Sequence, residues 1–313
     1  MILNAQNLAM IFQAYSAAFK GSLENTTDAN EHLQLASPVP SSAASNTYAW
    51  MGTFPRMREW LGDRQFKNLT AFGYSILNKL YEDSVAVRRT DIEDDQYGVY
   101  SMVFAEQGRL CAQHPNELVY AALTAGLTTG LGYDGVPFFS SAHPMTDASG
   151  VTTTFSNLIA GPGNAWYLMD TTRAIKPMIY QKRTPYEMQS MTSLTDEGVF
   201  MRDEYRFGVR GRGNVGYGIP QTAVACQQPL TSASFDAARA LMMAFKDDQG
   251  RPLGVKPNLL LVGGSNGATA RQVIKSAYIS TPAGVVGSGT AATGGNSNYN
   301  LDIVDLLETS YLP

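Results

Sequence analysis

From Asn4 to Lys20, Leu8, Ile11, Phe12, Tyr15 and Phe19 recur at three- and four-residue spacing, which predicts an amphipathic helix. Asn4 can cap its start and Gly21 can end it. The period is then lost. Thr26, Thr27, Pro38, Pro40 and the run Ser41, Ser42, Ala43, Ala44, Ser45 predict an extended arm over 21–47 that packs poorly on itself. From Tyr48 to Arg89 the chain is dense in aromatics and charge, and alternation through Leu77, Tyr81, Val85 and Val87 predicts a loop that goes out and returns as strands. Thr90-Asp91-Ile92-Glu93 fits a capping box, with Asp91, Glu93, Asp94 and Asp95 placed where a helix dipole is positive. The helix so begun can run to about Gly126, roughly 50 Å at 1.5 Å per residue, with Pro115 either kinking it or starting a second helix.

Residues 126–165, rich in Gly, Ser, Thr and Pro, predict a loop-dominated excursion, and 166–226 hold short strand-like runs at Ala174–Gln181 and Val199–Val209. The last part changes character. Ser234 can cap a helix burying Phe235, Ala238, Leu241, Met242 and Phe245. Asn258–Val262 reads as a short buried strand, Ala268–Tyr278 as a second helix, Gly284–Asn298 as a low-complexity loop and Leu301–Leu312 as a returning strand. There is no internal repeat.

Composition sharpens this picture. The 313 residues suffice for one large or two interleaved domains, but only 16% are charged, well below the roughly 25% of an average soluble domain. A surface so poor in charge points to contact with other protein. The net charge of −4 argues against a basic nucleic-acid-binding module, whose affinity comes from many lysines and arginines releasing counterions. Cys111 and Cys226 make no disulfide framework and fit a reducing compartment. No positive segment precedes the first apolar stretch and no run approaches 18 apolar residues, so neither a secretory signal nor a membrane helix is expected.

Several strings mimic catalytic or binding motifs. Gly263-Gly264-Ser265-Asn266-Gly267 fits a nucleophile elbow between a predicted strand and helix. A hydrolase of that type needs an acid and then a histidine after the serine, yet His32, His114 and His143 all precede Ser265, so a glycine-rich turn is the better reading. Gly211-Arg212-Gly213-Asn214-Val215-Gly216 matches a dinucleotide fingerprint, but Gly218 and Pro220 forbid the helix that would hold a pyrophosphate, leaving a bulged or turning strand. Cys111 and His114 have ligand-like spacing without a second pair, and the acids 91–95 lack the pattern of a calcium loop, so no metal and no cofactor is expected. Arg173, Lys176, Lys182 and Arg183, with Tyr180 interleaved, read as a solvated or subunit-contacting strand. Arg56, Arg58, Glu59, Asp63 and Arg64 beside Trp60 suit a specific interface as well as an ordinary charged loop, since guanidinium groups pair with carboxylates and stack on rings.

The strings YAWMGTFPRMREWLGDR (48–64), VAVRRTDIEDDQYGVY (85–100), HPNELV (114–119), FFSSAHP (138–144), WYLMDTTRAIKPMIYQKR (166–183) and LDIVDLLETSYL (301–312) follow one another in an order that resembles the major head subunits of Mu-like tailed bacteriophages. The resemblance implies an α+β fold of the Hong Kong 97 capsid type. It would comprise an N-terminal helix and arm (1–47), an extended loop (48–90), a peripheral domain (91–230) with a spine helix at 91–127, and an axial domain (231–313). One departure is visible: the strand-like region Val199–Val224 precedes the helix, strand and helix after Ser234, so either the chain order is rotated or boundaries between 130 and 230 fall elsewhere. The implied function is non-enzymatic: self-assembly into hexamers and pentamers of an icosahedral head enclosing double-stranded DNA. Its partners would be its own copies, scaffold, portal and decoration proteins, and packaged DNA without sequence-specific contact, with assembly in the host cytoplasm and no membrane. The alternatives are a serine hydrolase using Ser265, a non-viral shell, or another virion component.

Overall fold

The computed structural model describes residues 5–48, 73–94, 98–146, 151–193, 195–247, 250–279 and 296–313. In chain order the elements are α1 (Ala5–Asn25), α2 (His32–Leu35), β1 (Ala36–Pro40), β2 (Ser45–Thr47), β3 (Ser75–Leu77), β4 (Lys79–Arg88), α3 (Arg89–Asp94), α4 (Val99–Ala125), β5 (His143–Thr146), β6 (Thr152–Phe155), β7 (Leu158–Ile159) and β8 (Trp166–Met169). There follow β9 (Met178–Met191), α5 (Glu197–Arg202), β10 (Glu204–Tyr217), β11 (Ala223–Cys226), α6 (Ser232–Met243), β12 (Leu259–Gly263), α7 (Gly264–Ile274), β13 (Tyr278–Ile279), β14 (Asn296–Ser297) and β15 (Asp305–Thr309). No helix among the described residues is long and apolar enough to cross a membrane.

The chain divides into two compact units. The first comprises 1–47, 75–119 and 180–216; the second comprises 48–74, 120–179 and 217–313. This cut differs from a boundary at 230, and strand pairing is the reason. β8 and β11, which precede residue 230, pair with each other, and β8 also pairs with β12 in the sheet β15-β12-β8-β11-β7.

In the first unit the sheet order is β1-β9-β10-β4, with β10 and β4 antiparallel. Alternation along β10 turns Tyr205, Phe207 and Val209 to one side, where they meet Tyr15 and Phe19 of α1 and Phe104 and Cys111 of α4. Phe104 stands edge-on to Phe207 with centroids 4.7 Å apart and stacks on Tyr15 at the same distance. Gly108 is required where α4 passes α1, because a Cβ there would fall on the carbonyl oxygen of Phe19. The predicted N-terminal helix is therefore present and longer than expected, with Tyr15 and Phe19 buried in the core and Leu8, Ile11, Phe12 and Leu23 packed partly buried beside them. Nor is 21–47 a free arm: β1 joins the edge of this sheet, and Ser41 N–H donates to the Lys182 carbonyl at 2.9 Å.

The predicted 91–127 helix is two pieces, α3 and α4, with Gly98 at φ +66° before the second. Pro115 lies inside α4. Val199–Val209, expected as a strand, holds α5 followed by β10, and Asp203 in left-handed conformation (φ 55°) ends the helix.

In the second unit β8 is the central strand. All four of its residues are buried, and it runs antiparallel to both neighbours. Trp166 and Leu168 face Phe235, Ala238 and Met242 of α6 and Ala270, Val273 and Ile274 of α7. α6 starts earlier than Ser234: Thr231 is the N-cap, and Ser234 closes the capping box from the third position, donating and accepting with Thr231. β12 covers 259–263, α7 covers 264–274 and β15 is confined to 305–309. The glycines at 263–267 thus join strand to helix, as the sequence predicts.

Candidate assembly surfaces

Most of the family-like strings turn out to hold the fold. In HPNELV, Asn116 is fully buried. Its Oδ1 accepts from the backbone N–H of His32 at 2.9 Å and lies 2.8 Å from His32 Nδ1, while its Nδ2 donates to the Asp28 carbonyl at 2.6 Å. One amide thereby clamps 28–32 onto α4. Burial lowers the His32 pKa, opposed by the Asn116 hydrogen bond, and the neutral ring sits edge-on to Tyr180.

In FFSSAHP, Phe138, Phe139 and His143 are buried, with His143 Nδ1 2.6 Å from Asp134 Oδ2. Asn157 ties this loop down: Nδ2 donates to the carbonyls of Phe138 (2.8 Å) and Pro220 (3.1 Å), and Oδ1 accepts from Ser140 N–H at 2.8 Å. In the closing string Tyr311 stacks on Tyr120 with centroids 5.2 Å apart.

The decoy chemistry resolves similarly. The hydroxyl of Ser265 donates to the Pro313 carbonyl at 2.9 Å and accepts from Asn164 Nδ2 at 3.2 Å; no imidazole is among these partners. The 211–216 glycines lie in a strand, as expected, within β10, which continues through them. Gly211 is fixed by packing, since a Cβ would strike the Tyr186 ring. His114 Nδ1 shares a hydrogen bond with the Tyr186 hydroxyl, and burial lowers the His114 pKa. Cys111 is buried and lines, with His114 and Tyr186, a cavity of about 330 Å³, and burial pushes its thiol up to about 11. Among the described residues no group of three His, Cys, Asp or Glu side chains is placed to hold a metal.

Of the predicted interface residues, Arg56, Arg58, Glu59, Trp60, Asp63 and Arg64 lie outside the described residues. The basic stretch is divided between the units. Arg173, in the second unit, bonds Asp170 Oδ2 (3.3 Å) and the Leu253 carbonyl (2.8 Å), so it braces its own domain, and Lys176 lies in the same unit. Lys182 and Arg183 are on β9 in the first unit, Lys182 exposed and Arg183 half-buried.

Sequence reading missed the surfaces that are exposed and apolar. On α4, Val99, Val103 and Leu110 lie on one helical face and are all exposed. On α5, Val199 packs into the core while Phe200 and Met201 stay 81% and 69% exposed. Spacings of four and seven on α4 could have revealed the first patch. The second depends on a one-turn helix that the strand-like composition of 199–209 conceals. In the second unit Tyr278, Tyr299 and Leu301 are exposed, and the Tyr299 hydroxyl donates to Asp236 at 2.8 Å.

Such apolar surface on well-formed units suits a chain that ends up against other chains, and comparison with known proteins identifies which. The family model described as Mu-like prophage major head subunit gpT matches residues 8–312. The chain belongs to this family of phage major head subunits. The Major capsid protein of Escherichia phage Mu is 37% identical over 268 residues, covering 84% of this chain and 87% of that protein. The Mu-like prophage FluMu major head subunit of Haemophilus influenzae is 38% identical over 272 residues, covering 85% and 87%. Among solved structures, the procapsid of bacteriophage JBD30 matches with TM-score 0.82 and 41% identity over 99% of this chain and 100% of that one. The JBD30 capsid matches with TM-score 0.75 and 31% identity over 90% of each. As a head subunit of this family the chain is a major capsid protein with the α+β fold of Hong Kong 97-type capsids, a virion component. The relatives are structural proteins.

Proposed function

We propose that copies of this chain assemble into hexamers and pentamers that close as an icosahedral head around double-stranded DNA, and that the chain catalyses no reaction. Identical subunits in a shell meet through heterologous contacts on several sides, so each must carry several sticky surfaces. The observation that carries this reading is the pairing of a largely uncharged composition with exposed apolar side chains on elements that are otherwise well packed, above all Phe200 and Met201 on α5. Burial of such side chains contributes about 25 cal/mol per Å², less the cost of lost translational freedom, and moderate contacts repeated over a shell suffice.

In this reading the first unit serves as the peripheral domain with α4 as its spine, and the second serves as the axial domain. The outer part of the 48–90 loop, with Arg56, Arg58, Glu59, Trp60, Asp63 and Arg64, reaches a neighbouring copy, and Lys182 and Arg183 contribute at a subunit contact. Scaffold and portal proteins are the expected partners during assembly in the host cytoplasm. The JBD30 capsid is known decorated with minor capsid protein trimers, and a comparable decoration is expected here.

The test is a paired substitution, Phe200→Ser with Met201→Ser. The double variant should keep its circular dichroism spectrum and lose shells by electron microscopy, whereas shells in wild-type yield would refute this role for α5. Labelling of Ser265 in the folded protein by a serine-directed phosphonate would refute the non-enzymatic reading.

A further inference from the structure

The side of the four-stranded sheet opposite the α1–α4 core is open among the described residues, and it is rich in arginine. Along β10 the outward positions are Arg206, Gly208, Arg210 and Arg212, and the register sets Ala86, Ser84, Glu82 and Leu80 of β4 against them. Small residues at 84, 86 and 208 floor a trough of about 540 Å³ edged by Arg202, Arg206 and Arg210. The carboxylates lining it are Glu82, opposite Arg210, and Glu204, 3.9 Å from Arg206. Alternation puts Glu187 of β9 on this face with Gln189, and Arg88 of β4 opposite Glu204, so Arg88, Arg202, Arg206, Arg210 and Arg212 outnumber the carboxylates Glu82, Glu187 and Glu204, and Arg212 has Leu80 across the strand. Arginine in this setting matches carboxylates, because its planar fork binds them bidentately.

The same chain holds a complement. Four of the five residues 91–95 are acidic, the densest acidic run in a chain of net charge −4. Asp91 and Asp94 are exposed on α3 and lie three residues apart on one helix face, about 5–6 Å between Cβ atoms. That is close to the roughly 6.8 Å between alternate strand residues such as Arg210 and Arg212. Within one copy the two cannot meet: Ile92 is 1% exposed and packs with Val87 and Tyr205, which pins α3 to the core side of the sheet.

We propose that the arginine face of this sheet receives the acidic turn Asp91–Asp94 of a second copy. The contact is heterologous, one surface of each copy against a different surface of the next, and so propagates around a ring. It rests on the self-assembly reading above and assigns it a specific pair of surfaces.

Charge reversal with rescue tests it. Arg210→Glu/Arg212→Glu and Asp91→Arg/Asp94→Arg should each lower subunit association about tenfold, as two exposed attractions become repulsions. The fourfold variant carrying both should recover shells. Far-UV circular dichroism checks folding, and Arg210→Gln/Arg212→Gln, which removes charge without reversing it, should give a smaller loss. Shells from the wild type together with wild-type yield from either reversal overturns the contact and leaves self-assembly standing. Loss in both reversals without rescue overturns the choice of partner surface. Normal shells that fail to retain DNA in the Arg→Glu variant would assign the face to nucleic acid and overturn the proposal. A wild type that forms no shells overturns the self-assembly reading and this contact with it.

Discussion

Replacing Asn116 with Ala removes the clamp between 28–32 and α4, and the structure sets its cost. The side chain is 0% exposed and takes part in three hydrogen bonds, two from His32 and one to the Asp28 carbonyl. A typical bond contributes about 1 kcal/mol net, and a buried donor or acceptor left unpaired costs about 1–3 kcal/mol. His32 N–H is left unpaired in a buried site, whereas the Asp28 carbonyl, on an exposed residue, still accepts from Glu31 N–H at 3.3 Å, so the loss should total about 2–4 kcal/mol. Equilibrium urea unfolding of the unassembled subunit measures it as a lowered midpoint at unchanged slope. Hydrogen exchange localises it: amides of Leu33 and Gln34, which close turns onto Asn30 and Glu31, and those of β1 should lose protection while the Phe104–Cys111 turns of α4 keep theirs. A change below about 1 kcal/mol with unaltered exchange at 30–40 would refute the clamp.

Gly108→Ala should destabilise the first unit by about 1–3 kcal/mol, because the new methyl meets backbone at Phe19 and α1 must shift off α4; a thermal midpoint equal to wild type would contradict that packing. Acid should weaken the fold through His32 and His114. Burial holds both below the ordinary 6.5, so the unfolded chain binds more protons as pH falls through that value, and stability present above pH 6.5 is lost progressively below it. Melting curves from pH 7.5 to 5.5 should show this, and His32→Gln with His114→Gln should flatten the slope. Cys111, pushed up to about 11 and buried, should react with a disulfide reagent at pH 8 far more slowly in the folded subunit than in urea; equal rates would deny its burial. Ser265→Ala removes an exposed hydroxyl bonded to Pro313 and should change stability by less than about 1.5 kcal/mol.

Local periodicity made much of the secondary structure legible. The spacing of Leu8 to Phe19, the apolar ladder of α6 and the run 259–262 each form an element that buries the face their pattern marks. Long-range pairing was not legible in the same way. Nothing local in Trp166–Met169 says that it pairs with 223–226 and 259–261, and those pairings, set by mutual burial of strands far apart in sequence, decide where one unit ends. The arm failed for a related reason: Ser, Thr and Pro in 21–47 lower intrinsic order, but a single buried amide at Asn116 and an edge-strand pairing outweigh that composition. The surfaces were half legible. Arginines at 206, 210 and 212 share one strand face by parity alone, whereas Phe200 and Met201 reveal themselves as exposed only once α5 is seen to turn Val199 inward.

The central claim is that this chain works by adhering to its own copies, and an electron cryo-microscopy reconstruction of the wild-type protein after expression tests it most directly. The expected result is closed icosahedral shells in which Phe200, Met201 and the Val99–Leu110 face of α4 are covered by protein. Dispersed monomers at high concentration, or shells that leave those side chains open to solvent, would contradict it.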